Sequence, residues 1–268
     1  MSTAPASGAL LFIHGRGDFG CEVRKWLERA GNGELEKRLE AAGILVEYPD
    51  IYEDTNESAG DQRYQPQVDS AIDKLVDAGI DASRICVGGI SMGGKLSLHT
   101  AYGSGKYVGR LGAVACLSGG WPEDSRLEAL DSGRFQGEDC LKAPPLFMAH
   151  GGADIQVPLW FAKKTRTRLL AAGVPIPEDL MMYPQIGHDL CDWEVEDLAD
   201  FVVKYIGRGD CGSEAAGAHA VAENAAVAEK VLVAGASTSG DHGATAETSD
   251  AARQAARESA AISKLGVL

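Results

Sequence analysis

One serine stands in a setting that could make it a nucleophile. Gly89-Ile90-Ser91-Met92-Gly93 fits the pattern G-x-S-x-G. A short apolar stretch, Arg84–Val87, precedes it, and a helical pattern over Met92–Tyr102 follows. A tight turn between strand and helix has no room for side chains beside the serine, so glycines must flank it. Such a turn lifts the Ser91 hydroxyl to the top of a sheet. There it meets a helix N-terminus, whose dipole favours developing negative charge. The pentapeptide alone also suits an ordinary glycine-rich turn, so the serine needs partners.

A serine hydroxyl attacks poorly at neutral pH without a base. For a serine on such an elbow the chain order is serine, acid, histidine. Of His14, His99, His150, His188, His219 and His242, only the last three come late enough. His219 and His242 fall in a segment with nothing to hold an imidazole. His188 follows the last expected strand, Leu180–Tyr183, where a base belongs. The acid is expected after the strand before that, Pro145–Ala149, and Asp154 in His150-Gly151-Gly152-Ala153-Asp154 is the candidate. It would hold the His188 tautomer and stabilise the imidazolium. Asp179 precedes the last strand, at the wrong end of the sheet. Asp189 is better placed as a helix cap or first-turn acid. Two backbone donors are needed for an oxyanion. Met92 N–H is one by position. The other is the N–H of Arg16 in His14-Gly15-Arg16-Gly17-Asp18, where glycines on both sides free the backbone to turn.

The elements that must position these residues alternate. Ala9–Ile13, Ile44–Tyr48, Arg84–Val87, Ala113–Leu117, Pro145–Ala149 and Leu180–Tyr183 read as strands. Glu34–Ala42, Gln62–Ala78, Met92–Tyr102, Leu159–Ala172 and Asp189–Tyr205 read as helices. Continuous apolar strands alternating with helices predict an α/β fold, a mostly parallel sheet with helices on both faces. Ligands then bind beyond the C-terminal ends of the strands. No G-x-G-x-x-G follows a strand with an acidic residue downstream, which excludes a dinucleotide fold.

Composition changes near Gly207. Residues 208–268 contain no Phe, Trp or Tyr and are rich in Ala, Gly, Ser and Thr. Such a stretch cannot bury enough apolar area to offset its ordering entropy. The expectation is a domain over 1–207 and a mostly disordered tail over 208–268. Within the tail Ser249–Ser263 could form a marginal helix. The net charge of -14 over 268 residues repels nucleic acids and anionic surfaces. The six cysteines form no C-x-x-C pair, which argues against a zinc site and a disulfide scaffold. No apolar run approaches the roughly 18 residues of a membrane span. Ala9–Ile13 is too short and too little flanked by basic residues for a signal peptide. The expectation is a cytoplasmic protein with reduced thiols, no metal and no cofactor.

Five blocks together resemble the phospholipase/carboxylesterase family of α/β hydrolases, whose best-known members are acyl-protein thioesterases, also called lysophospholipases. They are HGRGD at 14–18, GGISMGG at 88–94, CLSG at 116–119, HGGADIQVPLWF at 150–161 and GHDLCDWE at 187–194. Ala78–Ile85 matches the family's lead-in to its nucleophile strand. The resemblance covers roughly residues 9–206 and implies an α/β-hydrolase fold. It implies a triad of Ser91, Asp154 and His188, with oxyanion donors on the backbones of Arg16 and Met92. Two departures concern the mouth of the site: the family usually has Leu in place of Arg16 and often Gln in place of Met92. A third is Pro49–Asp61, shorter and more acidic than the family's loop, which carries a Trp-Phe-Asp segment near the acyl site.

The implied chemistry is acyl transfer to water from an ester or thioester, with S-acylated proteins or lysophospholipids as substrates. A long acyl chain needs an apolar channel, since each buried CH₂ contributes roughly 0.8 kcal/mol. Trp121, Ile155 and Val157, with Leu159 and Trp160, lie in or next to the relevant loops. Trp121, Leu159 and Trp160 suit the core better than the pocket. The shortened loop favours an alternative, a carboxylesterase for short soluble esters. A catalytically silent binding module is opposed by the complete Ser, Asp and His set.

Overall fold

The computed structural model describes residues 6–52, 64–121, 128–136 and 140–207. The expected tail and most of the shortened acidic loop lie outside them. Six strands form one parallel sheet in the order β2-β1-β3-β4-β5-β6. They are β1 (Gly8–Ile13), β2 (Ile44–Glu47), β3 (Ile85–Ile90), β4 (Ala113–Leu117), β5 (Leu146–Gly151) and β6 (Met181–Tyr183). The four inner strands are buried at every position, whereas the edge strands β2 and β6 are only partly covered. This is why the inner strands read as unbroken apolar runs.

Seven helices are described: α1 (Gly20–Ala30), α2 (Glu34–Ala41), α3 (Gln65–Asp77), α4 (Met92–Tyr102), α5 (Glu128–Asp131), α6 (Leu159–Ala171) and α7 (Asp192–Ile206). Successive side chains of a strand point to opposite faces. Ala9, Leu11 and Ile13 of β1 pack with Val68 and Ile72 of α3 and Leu96 of α4. Leu10 and Phe12 join Val23 and Leu27 of α1, Leu39 of α2, and Leu198 and Val202 of α7. Burying each such side chain contributes roughly 1.5–3 kcal/mol. The fold is the expected α/β sheet with helices on both faces. Among the described residues no helix is long and apolar enough to cross a membrane.

Of the differences from the sequence reading, three bear on the site. α1 was assigned no element. Its N-cap is Phe19, which lacks a capping side chain, and Glu22 compensates by accepting from the Phe19 N–H at 3.0 Å. β3 runs on to Ile90 through Gly88 and Gly89, residues that weaken a strand unless other backbone approaches closely. α7 begins at Asp192 rather than Asp189, so residues 189–191 belong to the loop that carries His188.

The topology has a switch point. From β1 the chain goes one way to β2, then crosses back to β3 and continues the other way. The loops leaving β1 and β3 therefore diverge, and a crevice opens beyond their C-terminal ends.

Candidate active site

Ser91 sits at that crevice, between β3 and α4. Its backbone has φ 56° and ψ -115°, a conformation costly for a residue with a side chain. The surroundings hold it there. Ser91 N–H donates to the Leu117 carbonyl of β4 at 2.9 Å, and its own carbonyl accepts from Lys95 N–H at 3.1 Å. A Cβ on Gly93 would lie 2.1 Å from the Ile13 carbonyl oxygen, so only glycine lets α4 approach the end of β1 so closely. α4 is buried on nearly all sides, which anchors its N-terminus behind the serine.

The loop after β1 forms the facing wall. His14 is buried, donates from Nδ1 to the Gly15 carbonyl at 2.7 Å and accepts the Ile51 N–H on Nε2 at 3.0 Å. The Ile51 donor requires a lone pair on Nε2, which fixes the tautomer. His14 thus ties the loops after β1 and β2 together and braces the turn that carries Arg16. Arg16 itself is exposed. Met92 begins α4 and its side chain is buried in the core.

Asp154 and His188 come from the loops after β5 and β6. His188 Nδ1 donates to Asp154 Oδ2 at 2.7 Å. Asp154 Oδ1 accepts the backbone N–H groups of Gln156 at 2.8 Å and Val157 at 2.9 Å. Burial pushes the Asp154 carboxyl up, but the hydrogen bonds from His188, Val157 and Gln156 outweigh it and hold the group below its ordinary range. The Nδ1 of His188 thus carries the hydrogen that the Asp154 carboxylate accepts, and in a neutral imidazole so oriented the lone pair is on Nε2.

Ser91 and His188 line one cleft of about 320 Å³, with Gly15, Arg16, Trp26 and Gln156 among its walls. A hydroxyl at a helix N-terminus, beside an imidazole oriented by a carboxylate, can be deprotonated as it attacks a carbonyl. A second hollow of about 220 Å³, between α1, α2 and β2, is lined by neither serine nor histidine.

The rival acids stand elsewhere. Asp179 accepts the Leu180 N–H and pairs with Arg166 at 2.8 Å. Asp189 accepts from Trp26 Nε1 at 2.5 Å and from the Leu190 N–H at 2.7 Å. Trp121 is 5% exposed, stacks on His99 with centroids 5.5 Å apart, and does not line the cleft. Ile155 is 91% exposed, and Val157 is half-buried with its backbone on Asp154. Trp160, which the sequence favours as a core residue, is 62% exposed. Trp26, Gln156 and the bracing His14 were not foreseen. Trp26 is on a helix that the sequence reading does not contain, and Gln156, an exposed residue, is brought to the cleft wall by a loop whose shape no local pattern encodes.

The profile of the phospholipase/carboxylesterase family matches residues 48–206, which include Ser91, Asp154 and His188. The chain belongs to that family. The lysophospholipase-like protein 1 of Mus musculus is 29% identical over 226 residues, 75% of this chain and 88% of its own. The acyl-protein thioesterase 1 of Neurospora crassa is 27% identical over 227 residues, 76% and 89% of the two chains. Among solved structures, Arabidopsis thaliana SOBER1 superposes with a TM-score of 0.54 at 18% identity, over 74% of this chain and 99% of that one. Zea mays acyl-protein thioesterase 2 gives 0.51 at 20% identity, over 77% and 97%. At such identity the structural likeness speaks for the fold.

Proposed function

We propose that this chain is a serine hydrolase of acyl esters or thioesters, of the acyl-protein thioesterase and lysophospholipase type. The observation that carries the reading is a single cleft lined by Ser91, on a strained elbow, and by His188, held at 2.7 Å by Asp154. The names of the mouse and fungal relatives point the same way. The catalytic unit in this reading is residues 1–207, with 208–268 as an appendage.

Ser91 Oγ attacks the substrate carbonyl while His188 Nε2 takes its proton. Asp154 stabilises the imidazolium that results. The oxyanion accepts the N–H groups of Met92, the residue after the nucleophile, and of Arg16. The tetrahedral intermediate collapses, and His188 returns the proton to the leaving thiolate or alkoxide. Water, deprotonated by His188, then attacks the acyl-Ser91 ester, and the acid departs as Ser91 recovers its proton. Each step uses groups of the chain itself.

A second reading, a carboxylesterase for short acyl groups, is favoured by the cleft, whose 320 Å³ is at the lower end of ligand-site volumes and whose walls are more polar than apolar. The experiment is hydrolysis of matched thioesters and oxyesters from about two to sixteen carbons, a range in which each added CH₂ is worth roughly 0.8 kcal/mol if buried. Ser91→Ala is the control, expected to lose about six decades in kcat. Preference for long thioesters supports the thioesterase reading, and preference for two to four carbons supports the short-ester one. A folded native chain without turnover on any member overturns both.

A further inference from the structure

Asp154 has a second histidine beside it. His150, in β5, is fully buried. Its Nε2 lies 2.7 Å from the Val157 carbonyl oxygen and 3.6 Å from Asp154 Oδ2, the oxygen that takes His188. A carbonyl only accepts, so the Nε2 of His150 bears the hydrogen and its Nδ1 a lone pair. That Nδ1 is buried without a partner. Leaving an acceptor unpaired in the interior costs about 1–3 kcal/mol, which an apolar residue of similar size would avoid. The imidazole is there for what its other nitrogen does.

Val157 is gripped from both sides. Its N–H donates to Asp154 Oδ1 at 2.9 Å, and its carbonyl accepts from His150. We propose that His150 is a positioning residue for the acid: by clamping the Val157 carbonyl it fixes the 154–157 turn, so that Asp154 Oδ1 stays committed to the backbone and Oδ2 faces His188. The proposal rests on the hydrolase reading of this site. Charge at position 150 matters, because an imidazolium there would compete with His188 for the carboxylate. Two titratable groups face His150, Asp154 and His188. Burial pushes the His150 imidazole down, the Val157 carbonyl and Asp154 oppose this, and His188 reinforces it. The net direction is downward, so the ring stays neutral at neutral pH.

Two variants of the full chain separate a positioning role from mere filling of space. Gln places its amide nitrogen where the imidazole Nε2 stands, whereas Asn places it at the Nδ1 side. His150→Asn is expected to lose about 10- to 100-fold in kcat with KM little changed, the scale of an ångström-sized misplacement. The acid limb of its kcat/KM profile is expected to move to lower pH, because an imidazolium with a displaced carboxylate forms less readily. His150→Gln is expected to stay within about threefold of native, a difference below roughly 1 kcal/mol. The probe is a short acyl p-nitrophenyl ester. A readout without turnover is the downfield proton of the His188–Asp154 hydrogen bond in NMR, assigned by its absence in Asp154→Asn. His150→Asn should shift or lose it, and His150→Gln should keep it. Equal behaviour of the two variants, whether both near native or both impaired, overturns the proposal. So does His150→Gln losing the proton, even where His150→Asn does not fold. A native chain that shows the proton but hydrolyses nothing sinks the hydrolase reading and leaves the clamp standing.

Discussion

The two halves of the cleft are held in place by different means. On the side of Ser91, position comes from the backbone. The serine sits between two hydrogen-bonded strands and a buried helix, and the chain at Gly93 passes so near Ile13 that a Cβ there would stand 2.1 Å from its carbonyl oxygen. On the side of Asp154 and His188 the backbone joins the two loops, Gly152 N–H to the Tyr183 carbonyl and Ala153 N–H to the Ile186 carbonyl, both at 2.9 Å, but the two side chains themselves are set by side-chain hydrogen bonds. Asp154 and His188 are 34 residues apart and meet through one 2.7 Å contact, and His150 holds the turn between them from below. A backbone-held half should fail by unfolding, and a side-chain-held half should fail in chemistry first.

The largest expected effect tests the second half. Asp154→Asn removes a charge and leaves the shape, so kcat should fall by about 10⁴ with the fold retained. Ester turnover and a thermal melt on the same sample check this, and a large drop in melting temperature would erase the contrast. Next comes Gly93→Ala on the first half. Its methyl meets backbone atoms of Ile13 that no rotamer change can move aside, so stability should fall by about 3 kcal/mol or more. Urea unfolding measures it, and a near-native midpoint would show that the elbow has slack.

A smaller effect sharpens the comparison. Glu194 lies in the first turn of α7, just beyond the loop of His188, and neither carboxyl oxygen has a hydrogen-bond partner. Burial pushes its carboxyl up to about 8, the Cys191 N–H, close by but outside hydrogen-bond geometry, opposes the rise, and Asp197 and Asp189 add to it. The folded chain thus keeps a proton that the unfolded chain releases near its ordinary value, about 4.3. Between those two values stability should fall as pH rises. Glu194→Gln should remove that part of the slope, melting higher than native near pH 8 by about 4 °C or more and close to native near pH 4. Parallel melting curves for the two chains would show the carboxyl to be solvated. The smallest effect belongs to Trp26→Phe, which removes the bond to Asp189 on the cleft wall. Loss of one such bond costs about 1 kcal/mol of stability, and a change in kcat/KM of a few-fold is expected where the wall meets the substrate. An unchanged value would mean that this wall does not touch the substrate.

The same contrast governs what could be read from the sequence. The elbow is a run of five residues, because close backbone approach demands glycine at fixed neighbouring positions. Asp154 and His188 could be singled out only by chain order and by their places after successive strands. Their hydrogen bond, the Gln156 and Val157 donors and the clamp from His150 have no local signature. Trp121 was read as a candidate wall because of its loop, yet it is buried against His99. Ile155 was chosen as an apolar residue beside the acid, yet it is 91% exposed, because the turn that presents two N–H groups to Asp154 points it outward. α1 escaped because its cap works through Glu22 rather than through the residue at the cap itself.

By itself, then, the sequence determined the strand–helix alternation, the parallel sheet and the three residue types at the ends of β3, β5 and β6. The elements and the elbow follow from periodicity and steric exclusion, which act between near neighbours in the chain, and the acid and the base from their order along it. Tertiary structure alone decided which side chains face the cleft and which groups hold the carboxylate. Those choices depend on distances between residues far apart in sequence, set only once both faces of the sheet have packed.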